Sequence, residues 1–469
     1  MKKWNGALAL AAAMALAGWA HGEIGIFNNS LDLGIADDNP KLPGSVSYDQ
    51  QGTYTVTGGG TDWWEWDGER AHFLYSTITG NVRIEANVKI LGDPANDWAK
   101  AGVAIRNDIN TGAGNEMAMN AFTAVTDPFR TYWDDAAQKS VPNPRGAFQG
   151  RFLQGKFPMF NYEKVGIQPT KVAVQRTLMP DGQWYLTEGF LDTGAGLEKI
   201  GQRYLKMNST AYVGLAVTSH DNSRTETAEF TNVAISSTTA PQIWDRWEAA
   251  SVVNGGGIGG MNSFSVRESL SPTDLPGNIA STVAALNSNP PSIDYQAPVL
   301  NFHDSDSNGR FGNDATFGVV TAGLKNKGEV ENLAVVARGV LWVTDPGPYT
   351  FVIPSDDGFE LSIDAKIVGK ADYGKGANDI VLPATYLTAG AHPIQMIYWE
   401  GGGGSSLELF AAKGDWPWFD YDQGGWTKYA NWQLVGDVAN GGLALVPEPA
   451  TFGLLALGVL GLAARRRKA

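Results

Sequence analysis

Val82-Arg83-Ile84-Glu85-Ala86-Asn87-Val88-Lys89-Ile90 alternates apolar and polar side chains at almost every step. Successive side chains of an extended chain point to opposite faces, so this stretch predicts a strand with one face in a core and one in water. Shorter runs of similar character predict strands at 52–56, 102–106, 171–176, 212–217 and 229–235. Turn residues separate them, and no convincing helical period is present over 24–238. Many short strands joined by glycine-containing turns predict a sandwich or barrel.

The pattern resumes after a linker at 238–241. Strand-like runs occur at 333–343, 349–353, 360–363, 394–399 and 406–411. The expected fold class is all-β: a sandwich or barrel over 24–238, then a second β-sandwich or barrel over 241–413. Residues 414–446 hold Trp416, Trp418, Phe419, Tyr421, Trp426, Tyr429 and Trp432 and read as an aromatic closing segment and stalk.

The two ends carry export signals. Met1-Lys2-Lys3, the apolar run 7–16 and small residues around 20–22 have the order that signal peptidase requires, so 1–22 reads as a signal peptide. At the other end Pro447-Glu448-Pro449 leads into the uncharged apolar run 451–464 and then Arg465, Arg466, Arg467 and Lys468. Positive charge after an apolar run holds that end on the cytoplasmic side, and the run predicts a short transmembrane helix. This order resembles the PEP-CTERM sorting signal. The resemblance implies cleavage by an exosortase near the motif and release to the cell surface or outside; a retained tail anchor is the alternative.

Composition narrows the function. The chain of 469 residues has no cysteine and five histidines, which excludes thiolate metal sites, cysteine nucleophiles and disulfides. A net charge of −14 argues against nucleic acid, which needs a basic stripe, and favours divalent cations. Sixteen tryptophans suit sugar stacking or sandwich cores equally.

Within the first unit, Gly58-Gly59-Gly60-Thr61-Asp62-Trp63, His72-Phe73-Leu74-Tyr75, the run from Trp98 to Arg106, the run from Tyr212 to His220 and Ala228-Glu229-Phe230-Thr231-Asn232-Val233 resemble, in this order, concanavalin A-like lectin/glucanase sandwiches. The resemblance implies a jelly roll and frequent glycan contact, without one fixed activity. Laminarinase-type relatives carry Glu-x-Asp-x-Glu on one strand. Glu65-Trp66-Asp67-Gly68-Glu69 has that spacing, but its Trp- and Gly-rich setting and Gly68 predict a surface turn rather than a catalytic strand. Residues 126–166 read as a long connection rich in aromatics and arginine. It is either a cover for one end of the sandwich or a sugar platform, with Trp133 as a stacking residue.

Within the second unit the segment from Gly347 to Asp364, containing Ser355-Asp356-Asp357-Gly358, then Leu387 to Ile394 and Ile397-Tyr398-Trp399-Glu400, resembles the protective-antigen/GLEYA-type β-barrel of adhesins, glycosidases and toxins. In adhesin members paired aspartates hold a calcium ion that also meets sugar hydroxyls. The resemblance implies that role for Asp356 and Asp357, and places Glu400 where those adhesins have an asparagine. A second acidic run, Asp304-Ser305-Asp306-Ser307-Asn308-Gly309, spaces Asp304, Asp306 and Asn308 as in the first half of a calcium loop. Position twelve is Ala315 instead of glutamate, so the run reads as a solvated loop first and a calcium site second.

Three functions remain: an exported non-catalytic surface or matrix protein that binds glycans with calcium, its exopolysaccharide included; an extracellular glycoside hydrolase or lyase with an accessory module; and a structural coat protein.

Overall fold

The computed structural model describes residues 24–34, 42–63, 68–92, 95–109, 118–126, 131–134, 138–156, 159–239, 248–254, 262–270, 277–288, 291–304, 310, 312–421 and 428–446. The chain is nearly all β, in antiparallel sheets that stack into sandwiches. Alternation sets this up locally. In Val82–Leu91 the side chains of Val82, Ile84, Ala86, Val88 and Ile90 enter the core, whereas Arg83 and Glu85 pair with each other at 3.0 Å on the outer face.

In the first sandwich one sheet runs in the order Asn29–Leu33, Ala71–Thr79, Thr210–Thr218, Lys100–Arg106, Asn120–Thr126, Arg145–Arg151, Met159–Val165. The facing sheet runs Leu197–Leu205, Tyr185–Asp192, Lys171–Leu178, Val82–Leu91, Asp221–Ser236, Tyr54–Gly60, Ser45–Tyr48. Strands distant in sequence are neighbours, so the two layers are stitched by crossovers. Their inner faces share one core that includes Ile84, Val103, Phe148, Val174, Leu215 and Phe230.

The glycines at 58–60 form the end of strand Tyr54–Gly60. A Cβ on Gly58 would lie 2.1 Å from the Val217 carbonyl, so glycine lets two layers approach. The stretch 126–166 is not one connection. It holds a two-stranded ribbon, Thr131–Asp134 with Lys139–Pro142, and two strands that widen the first sheet, Arg145–Arg151 and Met159–Val165. Phe148, Phe152 and Phe160 belong to the main core. Alternation failed to reveal these strands because both faces of Arg145–Arg151 are covered, and its outward residues Gln149 and Arg151 are buried polar groups. The surface turn expected at Glu69 is not found either: Glu69 is 1% exposed.

In the second sandwich one sheet runs Ser292–Ala297, Phe264–Leu270, Leu333–Val343, Gly390–Glu400, Phe359–Ile363, Lys366–Ala371, with Ala444–Leu445 added against Leu333–Val343. The other is built on Gly347–Ser355, flanked by Ser406–Glu408, Phe410–Lys413, Asn378–Val381 and Thr385–Leu387. Phe264, Leu341, Phe351, Leu361, Met396 and Leu409 fill the space between. A helix that the strand pattern did not reveal, Ile279–Asn287, is capped by the Asn278 side chain on Ser281 N at 2.8 Å and lies with Val336, Ile397 and Trp399 in one apolar cluster.

The sandwiches are joined by side chains as well as by the linker. Asp415 pairs with Arg203 and accepts a hydrogen bond from Tyr204 N at 2.9 Å. Trp416 and Trp418 of the aromatic segment pack edge-on against Phe152, and Tyr204 meets Tyr386 at 6.0 Å between ring centroids. Phe419, Tyr421 and Trp432 cover the outer face of the second unit's second sheet, around Phe410.

Candidate cation and glycan site

Strand Gly347–Ser355 runs from the first sandwich to the far end of the second. A Cβ on Gly347 would lie 3.1 Å from the Trp184 indole nitrogen of the first sandwich. Ser355 stands eight residues further on, about 26 Å away at the usual ~3.3 Å per residue. At that far pole the chain turns through Asp356, Asp357 and Gly358. Strand Gly390–Glu400 ends at the same pole, which brings Glu400 to the turn.

One ligand atom from each of Asp356, Asp357 and Glu400 lies within 4.8 Å of the others. Asp357 adopts φ 54°, a left-handed conformation unusual for an aspartate. Its carboxylate is oriented by Lys375 N at 2.9 Å and Gly401 N at 2.7 Å. Asp356 Oδ1 accepts from Asp357 N at 2.9 Å. Gly358 completes the turn because a Cβ there would sit 2.4 Å from the Trp399 indole nitrogen and 2.5 Å from the Ala371 carbonyl.

Glu400 is 0% exposed. Its Oε2 accepts from the Tyr398 hydroxyl at 3.2 Å, and its Oε1 is buried without a hydrogen-bond partner. Burial first, and the charges of Asp357 and Asp356 second, push the Glu400 carboxyl up to about 9. Burial and the Asp357 charge also raise Asp356. Lys375 is the nearby cation. Its ammonium binds the Ser355 carbonyl and hydroxyl, and burial lowers its affinity for a proton despite the surrounding carboxylates.

This donor set fits a hard divalent cation, which takes several carboxylate and carbonyl oxygens. Three acidic side chains converge with one compensating lysine, and a buried Glu400 oxygen has no protein partner. A cation there would relieve both the like-charge repulsion and the unmet oxygen.

The other expected residues are distributed differently. Asp304 is buried near this pole, with its N–H bonded to Ser405 O at 3.0 Å, yet it does not join the three-carboxylate group. Its Oδ1 faces His303 Nδ1 at 3.5 Å, and its Oδ2 has no hydrogen-bond partner. Asp304 is therefore not part of a solvated loop; Asp306 and Asn308 fall outside the described residues. Trp133 sits in the ribbon of the first sandwich opposite Ser140, a different unit from Asp356. Glu65 and Asp67 are outside the described residues. Glu69 is held by Arg106 and by Arg151 Nε at 3.1 Å, all three buried. Beside it Lys100 Nζ meets Asp62 Oδ1 at 2.6 Å, and Trp63 donates to Asn120 Oδ1 at 2.9 Å. No local signal in the sequence foretold these pairs, since Glu69, Asp62 and Trp63 meet partners 37 or more residues away in the chain.

Residues 445–468 match the PEP-CTERM protein-sorting motif. The sorting tail thus starts as the second sandwich ends, where Val446 N bonds to Val340 O at 2.9 Å. Pro447, Glu448, Pro449 and the Arg465, Arg466 and Arg467 cluster lie outside the described residues. Among the described residues no helix is long and apolar enough to cross a membrane. No curated protein matches the chain. Among solved structures, the PA14 sugar-binding domain from an RTX adhesin is 20% identical over 37% of this chain and 95% of its own, with a TM-score of 0.27. The Epithelial Adhesin 9 A domain from Candida glabrata, in complex with Galb1-4GlcNAc, is 14% identical over 42% and 98%, with a TM-score of 0.26. An anti-sigma factor domain-containing protein from Clostridium clariflavum is 12% identical over 89% and 96%, with a TM-score of 0.24.

Proposed function

We propose that this chain is an exported, non-catalytic surface or matrix protein that binds glycans through a calcium-organised site at Asp356, Asp357 and Glu400. The observation that carries the reading is the convergence of three carboxylates around a buried oxygen without a partner, at the pole facing away from the first sandwich. Asp356 and Asp357 supply hard oxygens, and the hydrogen bonds from Lys375 N and Gly401 N fix the Asp357 carboxylate. The glycine-rich loop 401–404 puts no side chains beside the site: a Cβ on Gly403 would meet nothing within 4 Å, and one on Gly404 would lie 3.8 Å from Asp356 Oδ2. Calcium, when bound, supplies positive charge to sugar hydroxyls. The protective-antigen-type and concanavalin A-like assignments of the two sandwiches belong to this same reading. Against catalysis stands Glu69, which is sealed from solvent and gripped by two arginines.

The sorting motif supports export. Signal peptidase removes 1–22, the apolar run 451–464 halts in the inner membrane, and an exosortase cleaves near Pro447-Glu448-Pro449. Mass spectrometry of the secreted protein then finds a C-terminus close to 446–450; a membrane-bound form retaining Arg465 to Lys468 in exosortase-competent cells contradicts this.

The glycan reading is tested on an array with the purified secreted protein. At least one glycan is expected to bind in calcium, to be released in chelator, and not to bind an Asp356→Ala, Asp357→Ala double variant that still melts cooperatively. Binding of every glycan that is the same with and without calcium refutes the calcium-organised site.

A further inference from the structure

We propose a second, calcium-independent carbohydrate site at the opposite pole of the second sandwich, a cleft in which a neutral pyranoside stacks on Trp342. The cleft has a volume of about 410 Å³ and lies between the end of Leu333–Val343, the strand Phe410–Lys413 and the C-terminal segment 438–444. That volume is within the roughly 300–1,000 Å³ of small-molecule sites, with room for a short saccharide.

Its walls match the two-sided chemistry of a sugar ring. A pyranose has a face of C–H groups and an edge of hydroxyls. Trp342 supplies an indole that is 41% exposed, although it sits in a regular strand between Ala391 and Ala444. Large aromatic side chains are normally more covered than this, and an indole with one wet side is the usual partner for an amphipathic ligand. Val438, also exposed, stands on the same cleft. Polar groups line the remainder. Asn431 offers an amide, and the Tyr349 hydroxyl, which donates to Asp345 O at 2.8 Å, keeps acceptor capacity. Lys413 is the charged residue among the described ones lining the cleft and is paired with Asp345, which suits a neutral sugar rather than a uronate. Gly441 and Gly442 keep the opposite wall free of side chains.

The position gives the site a consequence. Leu333 is in register with Glu400, and Trp342 lies nine residues along the same strand, about 30 Å from the acid cluster at ~3.3 Å per residue. A protein with a sugar site at each pole of one rigid sandwich bridges two polysaccharide strands, which a single lectin site does not.

The proposal does not rest on the calcium site and is tested without it. The full secreted protein is run in chelator by affinity electrophoresis through gels containing a neutral β-glucan, a xylan or a galactan, alongside tryptophan fluorescence titration with the same polymers. At least one polymer is expected to retard the protein in chelator. Trp342→Ala is expected to weaken that binding at least tenfold and Trp342→Phe by less. No retardation by any of these polymers overturns the proposal, as does Trp342→Ala binding like wild type. Sedimentation showing that Trp342 holds a dimer, with no sugar dependence, also overturns it.

Discussion

Two buried carboxylate sites in this chain are built on opposite principles. In the first sandwich Glu69 is enclosed with Arg106 and Arg151, and its charge is met from both sides. In the second, Asp356, Asp357 and Glu400 share one small volume, Lys375 is the nearby cation among the described residues, and Glu400 Oε1 is buried without a hydrogen-bond donor. A balanced cluster is complete as it stands and serves the fold. An unbalanced one leaves carboxylate charge that the protein itself does not offset, and the proposed calcium site rests on that imbalance. Charge balance, rather than the spacing of acids along the sequence, is what distinguishes the two sites. From sequence the first site reads as a surface turn, and the ligand role of Asp356 and Asp357 is what the family resemblance implies.

The largest expected effect comes from breaking the balanced site. Glu69→Gln leaves two buried guanidinium groups without their counter-charge and is expected to destabilise the protein by about 3–5 kcal/mol. Urea unfolding of the variant checks this; an unchanged midpoint would mean that the arginines find other partners and that the balance is not structural.

Next is the response of the unbalanced site to its ligand and to protons. Calcium at 100 times its dissociation constant is expected to stabilise the protein by about 2.7 kcal/mol, read as a raised melting temperature. Without calcium, Glu400 titrates at about 9 in the folded state against 4.5 for the free side chain. Between those values the folded protein keeps a proton that the unfolded chain has released. Stability in chelator therefore falls as pH rises from about 4.5 to about 9, and the raised Asp356 adds to the same slope at its lower end. Calcium takes over the role of the proton, so the slope flattens when it is present. Melting curves from pH 5 to 9 in calcium and in chelator test the pair of statements; parallel slopes would contradict them.

The smallest effect sharpens the comparison. Glu400→Gln at pH 6 in chelator replaces a protonated acid by a neutral amide of the same shape, and is expected to change stability by less than about 1 kcal/mol. The same variant loses most of the calcium response. A large loss of stability in chelator would show instead that Glu400 is ionised and structurally paired, like Glu69.

What the amino-acid order determined by itself was whatever depends on neighbours in the chain. Alternation over Val82–Leu91 fixed a half-buried strand, because its outer face is wet and its inner face dry. The Asp356-Asp357-Gly358 turn was legible for the same reason, since its two aspartates are adjacent and its glycine marks the bend. The sorting tail was legible because its parts follow one another at the end of the chain. Only the tertiary structure decided the rest. Arg145–Arg151 did not look like a strand because a cover buries its polar face too. Glu69 could not be told from a surface acid until Arg106 and Arg151 arrived from two other strands. Glu400 joins Asp357 through strand Gly390–Glu400, and Trp342 acquires its cleft through the segment 438–444. Burial, charge compensation and ligand geometry are properties of volumes, and chain folding sets which side chains share one.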